Sequence, residues 1–460
     1  MREGNWDRHL WVLLAGYVIA SLTYAIFIPW GGNPDEKAHY EYIQYLAEEH
    51  RLPVFRSSEV LYEAHQPPLY YLLALPFYWL GGLLGTPKVI RLLAVLTGAG
   101  VLACTYWTTR RLYPKEEGAP LLAGAVAGFL PSMLTMNASV GNDSLATLVF
   151  SVFALWCAGQ GRGRIGTKTG LGMGALVGLG TLTKVPCAVL ALLAAAAFLV
   201  FSQGGNGGRT FPPARKSKPG RPSGARTLRD NPGSTGKQVK GHLPWLALAS
   251  AAGTALVICG WWLVRNQVLY GDPFALSRFV EIFSRGRPAP AYFFSRGFSF
   301  LVYLGVVATF TFKTFWGAFG RANIFLPHPV YLFWLGVSGV ILIGWTLRIL
   351  TGRIGTRRNR AQEEAEGLGI KFARLILVLE FAFLFAFFLR FNMVFFQGQA
   401  RYVLLAATPI AIFMAVGTLA VFPRRWRKIA ALLLSGTFFA YGMLALLAWG
   451  LPAFSRLPYR

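Results

Sequence analysis

The segment Gly32-Asn33-Pro34-Asp35-Glu36-Lys37-Ala38-His39-Tyr40 follows directly after the first hydrophobic run of this 460-residue chain. It opens a stretch, residues 31–68, that holds seven of the 19 acidic residues and only three of the 45 Lys and Arg residues. That stretch carries a formal charge of about −4, whereas the whole chain carries +26. Carboxylates and histidines gathered beside a hydrophobic run indicate acid/base chemistry at a membrane surface.

The composition predicts an all-α polytopic integral membrane protein. Hydrophobic residues make up 54% of the chain and charged residues 14%, whereas soluble proteins contain about 25% charged residues. Many apolar runs approach the roughly twenty residues that span a bilayer. The basic residues cluster between these runs, which is typical of membrane topology and argues against nucleic-acid binding. Residues 9–30 lack a small-residue cleavage site and are predicted to be a retained span rather than a signal peptide.

Loops rich in Lys and Arg set the predicted topology, because such loops stay in the cytoplasm. With the N-terminus also cytoplasmic, the acidic stretch 31–68 faces outside. Leu69–Leu84 then cannot cross the membrane, since the next span would carry Arg110 to the outside; it is predicted to be a membrane-embedded helix on the outer side. The basic loops lie at residues 110–115, 162–168, 203–243, 348–374 and 424–428.

The same argument makes residues 298–316 a second outer-side helix. We predict an N-terminal transmembrane module over residues 1–202 and a C-terminal one over 244–460, the latter with an external loop at 265–328. Between them, residues 203–243 hold nine Gly, five Pro and nine Lys or Arg residues, which predicts a disordered basic cytoplasmic linker. About eleven spans remain, at residues 9–30, 88–109, 119–136, 143–160, 169–184, 187–203, 244–264, 329–350, 372–390, 402–421 and 429–450.

This topology gathers acids and cations on one side of the membrane. Lys184, Arg265 and Arg401 lie at the ends of apolar runs, where a charge costs a few kcal/mol unless it is paired or solvated. A carboxylate facing such cations suits a reaction of a phosphate-bearing substrate. The cations would hold the phosphate, and the carboxylate would take a proton from the nucleophile.

Each candidate residue in the first loop could instead have a purely structural role. Asp35 follows a proline at a predicted helix start and could simply cap that helix. Glu36 could shape the substrate site or only accept a hydrogen bond from a loop amide or Lys37. His39 shares a helix face with Asp35 and could be a base, a metal ligand or a surface histidine. The spacing does not support a metal site, because no third protein ligand is evident.

The remaining candidates have similar alternatives. His65-Gln66-Pro67-Pro68 could be only a turn into the embedded helix, and Asn142-Asp143 could be only a helix cap. Lys184 could extend its amine to the membrane interface, and Arg401-Tyr402 could be an interface anchor.

The order of these segments resembles the GT-C superfamily of membrane glycosyltransferases, which includes protein O-mannosyltransferases and lipid A aminoarabinose transferases. The closest likeness is to a largely uncharacterised branch of bacterial predicted membrane proteins. The resemblance rests on Asp35-Glu36 with His39, His65-Gln66-Pro67-Pro68-Leu69, Leu182-Thr183-Lys184, Trp261-Trp262-Leu263-Val264-Arg265-Asn266 with Tyr270-Gly271-Asp272-Pro273, Phe315-Trp316-Gly317, and Arg401-Tyr402.

The resemblance implies a sugar donor linked to polyprenyl phosphate and an inverting transfer with Asp35 as the general base. It places the chain in the inner or plasma membrane, with the active site on the extracytoplasmic side. Gln66 departs from the His-Pro-Pro pattern, and no large external domain is evident, so we expect a cell-envelope glycan or glycolipid as acceptor. No cofactor is predicted. We predict that the catalytic residues are Asp35 as the base, with Glu36 and His39 shaping the acceptor site. The predicted substrate-binding residues are His65, Gln66, Asn142, Asp143, Lys184, Arg265, Arg401 and Tyr402, of which Lys184, Arg265 and Arg401 are candidate phosphate contacts.

Two other functions fit the sequence less well. A transporter or flippase of lipid-linked glycans would need polar residues spread through the depth of its spans, whereas here they gather on one side. A non-catalytic scaffold for envelope assembly would not need Asp35.

Overall fold

The computed structural model describes residues 4–55, 61–160, 165–203, 245–284, 288–354 and 368–456. Within these ranges the chain is almost entirely helical, with one two-stranded antiparallel hairpin. Nearly all of the predicted linker 203–243 lies outside the described residues. The all-α polytopic fold predicted from the composition is confirmed.

The helices follow the predicted spans in order. They are α1 Gly4–Phe27, α2 Glu36–Glu49, α3 Leu69–Leu83, α4 Arg91–Leu112, α5 Ala119–Phe129, α6 Pro131–Met136, α7 Asp143–Gly159, α8 Thr167–Thr181, α9 Leu190–Gln203, α10 Trp245–Tyr270, α11 Leu276–Phe283, α12 Pro290–Phe294, α13 Phe300–Trp316, α14 His328–Ile354, α15 Leu368–Asn392, α16 Ala407–Ala420, α17 Arg427–Leu444 and α18 Leu451–Phe454; β1 Ala318–Phe319 pairs with β2 Ile324–Phe325.

Seven helices of the described chain are long and apolar enough to cross a membrane, fewer than the eleven spans expected. The predicted span 119–136 is divided into α5 and α6 at Pro131, whose missing N–H interrupts the helical hydrogen bonds. Helices α7 and α8 contain only 17 and 15 residues. Helix α3 is also short, with 15 residues, as expected for an embedded helix.

The bundle has two chemically different ends. At one end, the Glu116 carboxylate pairs with Arg348 and Arg427, and Arg374 donates to the Leu112 carbonyl. Three of the five basic loops predicted to share the cytoplasm, those at 110–115, 348–374 and 424–428, therefore lie at the same end. The opposite end, which we call the first-loop end, carries the loop 28–35 and helix α2. Which side of the membrane each end faces stays a prediction from the loop charges.

Helix α8 packs closely on α10 through glycines. A Cβ built on Gly174 would lie 2.2 Å from the Ala251 carbonyl oxygen, and one on Gly170 would lie 2.3 Å from the Ala247 oxygen. Small residues at four-residue spacing let two helix backbones approach in a membrane. Gly172 lies on another face of α8, where an added Cβ would have no atom within 4 Å.

We expect Gly174→Ala to destabilise the protein by roughly 2 kcal/mol, because the added methyl would force α8 away from α10. Gly172→Ala should leave stability unchanged or raise it by up to about 1 kcal/mol, since alanine favours the helix. Thermal unfolding of the detergent-solubilised variants measures the difference. Equal melting temperatures for the two variants would contradict the close packing.

Candidate active site

Arg91, at the start of α4, fixes the loop that leads into the site. Its guanidinium is fully buried and donates to both oxygens of Glu36 at 2.7 and 2.8 Å. It also donates to the carbonyls of Ala25, Ile28 and Pro29 at the end of α1. One arginine thus holds the end of α1 against the first turn of α2.

Glu36 helps Arg91 to hold the end of α1 against α2 and does not line the site. Its side chain is buried and, besides Arg91, accepts hydrogen bonds from the amides of Gly31 and Val140 at 3.0 and 3.2 Å. A carboxylate surrounded by donors cannot also contact substrate. The prediction that Glu36 is catalytic is therefore corrected to a positioning role.

Asp35 precedes Glu36 in a left-handed backbone conformation, with φ of 57°. Such a conformation costs a non-glycine residue about 1–2 kcal/mol and often marks a functional position. Asp35 stands at the N-cap of α2, yet its side chain makes no capping hydrogen bond. Its carboxylate instead accepts from Arg401 at 2.5 Å. The interpretation of Asp35 as a helix cap is wrong.

Alternating charges connect Asp35 to Lys184. The Arg401 guanidinium lies 3.8 Å from the Asp143 carboxylate, which also pairs with the Lys184 amine. We call Asp35, Arg401, Asp143 and Lys184 the charged row. Lys184 is 8% exposed, so its alternative role of reaching the membrane interface is wrong.

Asn142 connects the charged row to the turn that contains His65 and Gln66. Its amide donates to the Gln66 side chain and to the Thr183 carbonyl, both at 3.1 Å, and its oxygen accepts from Lys184 at 3.2 Å. The side chain makes no capping hydrogen bond to α7, so the interpretation of Asn142 as a cap is also wrong. Gln66 in turn lies 3.1 Å from the His65 ring nitrogen.

His39 is buried beside the charged row. Its Nδ1 lies 2.8 Å from the Tyr71 hydroxyl. Burial lowers the pKa of His39 to about 4, although the Asp35 charge opposes this shift. His39 is therefore neutral near pH 7, where its ring can donate or accept a hydrogen bond without carrying a charge.

Two cavities meet at His39 and Arg401. The apolar cavity has a volume of about 380 Å³ and is lined by charged groups, including Asp35 and Lys184, and by aromatic rings of α11 and α15. The hydroxyl-lined cavity is smaller, about 70 Å³. Its polar lining comprises Ser132, Thr135, Ser139, Asp143, Thr314 and Gln399.

Most of the predicted substrate-binding residues line these cavities. His65, Gln66 and Tyr402 face the apolar cavity, and the Tyr402 ring lies under the Arg401 guanidinium at 5.0 Å. Arg265 does not line either cavity. It donates to the Pro53 carbonyl at 2.7 Å and lies over the Trp262 ring, so it supports the first loop from α10.

Glu63 is a site residue that was not among those predicted from the sequence. It lines the apolar cavity, is 4% exposed, and its Oε2 has no hydrogen-bond partner among the described residues. Burial, followed by the Asp35 charge, raises the pKa of Glu63 to about 7. Its position two residues before His65, within a polar cluster, was the signal that could have found it. Among the residues described, no three His, Cys, Asp or Glu side chains group as metal ligands.

Comparison with known proteins gives a partial family match and a similar fold. Residues 65–210 match the family model described as dolichyl-phosphate-mannose-protein mannosyltransferase. The fold is similar to a crystal structure of ArnT from Cupriavidus metallidurans bound to undecaprenyl phosphate, with a TM-score of 0.53 and 13% identity over 98% of this chain and 77% of that chain. No curated protein matches the sequence.

A second similar structure is the oligosaccharyltransferase AglB from Archaeoglobus fulgidus in complex with an inhibitory peptide and a dolichol-phosphate. Its TM-score is 0.45 at 13% identity, over 97% of this chain and 55% of that chain. This chain therefore spans about half the length of that protein.

Residues 65–210 therefore resemble a mannosyltransferase family, and the fold of the chain is similar to that of ArnT. The resemblance to the GT-C superfamily predicted from the first-loop and His-Gln-Pro-Pro motifs is confirmed. The individual roles of the site residues remain predictions.

Because His39 is buried in its neutral form, acid should destabilise the protein through this residue. The folded-state pKa of about 4 lies below the ordinary histidine value of 6.5, so stability is lost as pH falls from about 6.5 towards 4, by up to about 3 kcal/mol. His39→Gln should lose less stability over this range in thermal unfolding experiments.

Replacement of the exposed His328 by glutamine is the matched control and should behave like the wild type. Parallel acid profiles for the wild type and His39→Gln would contradict the buried neutral histidine.

Proposed function

We propose that this protein transfers a sugar, with inversion, from a polyprenyl-phosphate-linked donor to a hydroxyl of an extracytoplasmic glycan or glycolipid. The observation that carries this proposal is the position of the charged row at the junction of an apolar cavity and a hydroxyl-lined one. Such a junction can hold the phosphate of a lipid-linked donor, with the lipid chain in the apolar cavity and a polar acceptor in the hydroxyl-lined cavity.

The apolar cavity suits the donor. Phe387, Phe388 and Phe391 of α15 provide apolar surface for the first prenyl units, and Lys184 and Arg401 line the same cavity. Two cations there offset the charge that develops on the leaving phosphate. The undecaprenyl phosphate bound to the similar ArnT structure supports this class of donor.

Asp35 is the better candidate for the general base than Asp143. Its side chain is 29% exposed, against 9% for Asp143. Asp143 is also enclosed by Lys184 and Arg401, whereas Asp35 faces the apolar cavity in which the anomeric carbon would lie. In an inverting displacement the acceptor oxygen attacks the anomeric carbon, its proton passes to Asp35, and polyprenyl phosphate leaves.

The hydroxyl-lined cavity is the proposed approach for the acceptor. Ser132, Ser139 and Thr314 offer hydrogen bonds to a sugar hydroxyl, and the cavity reaches His39 and Arg401. We infer from the loop charges that the site faces the extracytoplasmic side of the inner or plasma membrane. The proposed reaction uses no dedicated cofactor.

We expect Asp35→Asn to reduce transfer at least a thousandfold, because the amide cannot accept the acceptor proton. The assay uses purified protein, radiolabelled polyprenyl-phosphate sugars and a lipid-linked acceptor pool. Glu41→Gln, an exposed position on the same helix, is the matched control and should keep wild-type activity.

Asp143→Asn tests the rival base. We expect it to weaken donor binding more than the turnover rate, because it disturbs Lys184 and Arg401. Equal transfer by Asp35→Asn and the wild type would overturn the assignment of the base. Movement of labelled lipid across vesicles without sugar transfer would instead favour the transporter.

A further inference from the structure

Glu63 stands apart from the other acids at the first-loop end. Asp35 and Asp143 each pair with a cation of the charged row, and Glu36 pairs with Arg91. Glu63 is 4% exposed but has no ion pair within the described chain, and its Oε2 has no hydrogen-bond partner there. A buried carboxylate without an ion pair is costly in its charged form.

The turn that carries Glu63 holds it against the cavity. The Gln66 amide donates to the Glu63 carbonyl at 2.9 Å, and the Gln66 side chain is itself bound by Asn142. Glu63 therefore lines the same cavity as Lys184 and Arg401. An oxygen without a partner in this position can contact a ligand placed between those cations.

The charges of the site decide which form of Glu63 such a ligand can use. Lys184 and Arg401 are already balanced by Asp143 and Asp35. A phosphodiester adds one negative charge, and an ionised Glu63 would add a second beside it. A protonated Glu63 adds none and supplies an O–H donor.

We propose that Glu63 acts as a neutral acid that donates a hydrogen bond to the phosphate of the lipid-linked donor. This inference rests on the proposed function. It gives Glu63 a substrate-positioning role for the phosphate, distinct from the ionic contacts of Lys184 and Arg401.

The groups that face Glu63 fix how binding should depend on pH. Burial and then the Asp35 charge favour its protonated form, whereas Lys184, Arg401 and a hydrogen bond from the Gln66 side chain favour the ionised form. His39, with a pKa of about 4, remains neutral above pH 6. His65, two residues further along the same turn, lines the same cavity.

The sign of the effect follows from linkage. In the free protein the pKa of Glu63 is about 7, and a bound anion raises this pKa further. Above pH 7, binding therefore requires Glu63 to take up a proton from the solvent. Affinity for a phosphodiester should therefore fall as pH rises from 6.0 to 8.5, by about threefold to thirtyfold.

The test measures binding of tritiated farnesyl methyl phosphate to the purified full-length protein at pH 6.0 and pH 8.5. This short polyprenyl diester keeps a single charge over that range, so its own titration does not interfere. Glu63→Gln keeps a neutral donor at every pH. We expect its affinity to match the wild type at pH 6.0 and to remain unchanged at pH 8.5, whereas Glu41→Gln should weaken like the wild type.

The possible outcomes separate the two proposals. Equal loss of affinity by the wild type and Glu63→Gln would overturn the role of Glu63 while leaving the lipid-phosphate donor supported. Loss of binding by a folded Glu63→Gln at pH 6.0 would also overturn it, since a neutral donor would then not suffice. Absence of binding by the wild type at both pH values would overturn the polyprenyl-phosphate donor itself, and with it the inference on Glu63.

Discussion

The buried ion pair between Arg91 and Glu36 is the interaction on which the first-loop end depends. Both side chains are fully buried, and the arginine also holds three carbonyls at the end of α1. Removing one partner of such a pair costs about 3–5 kcal/mol, because the other charge remains buried. The pair fixes the position of Glu36 and therefore that of Asp35, the residue before it. The left-handed backbone of Asp35 is maintained by this support.

The charged row solves a second electrostatic problem. Two cations at the end of an apolar bundle would be costly without a bound phosphate. Asp143 and Asp35 supply the missing negative charge, so the site is neutral before the donor arrives. Asp35 occupies one nitrogen of the Arg401 guanidinium, and the Nε of Arg401 has no hydrogen-bond partner among the described residues. The proposed donor phosphate can therefore bind Arg401 without displacing Asp35.

The sequence predicted the helical membrane fold and most members of the site, because both leave strong signals in it. Apolar runs report spans, and an acidic stretch in a chain of +26 charge is conspicuous. The pairings were not predictable. Asp35 and Arg401 are 366 residues apart, and no local pattern shows that they meet.

Two errors of assignment have the same physical origin. Glu36 resembles Asp35 in sequence, and only its burial against Arg91 separates support from chemistry. Arg265 follows the tryptophan pair as the resemblance suggested, but α10 continues to Tyr270 and directs this arginine to the first loop. Residue type identified the candidate residues. The roles of Glu36 and Arg265 depend on partners that are distant in the sequence.

The geometry of Arg401 also bears on the proposed reaction. Its guanidinium holds Asp35 through Nη2, and its Nε remains without a hydrogen-bond partner among the described residues. Under the proposed function, Arg401 can therefore orient the base and contact the leaving phosphate at the same time. The hydroxyl-lined cavity, about 70 Å³, reaches the same arginine and His39. Its small volume suits a narrow polar group of an acceptor, so the size of this cavity would limit which acceptors reach the base.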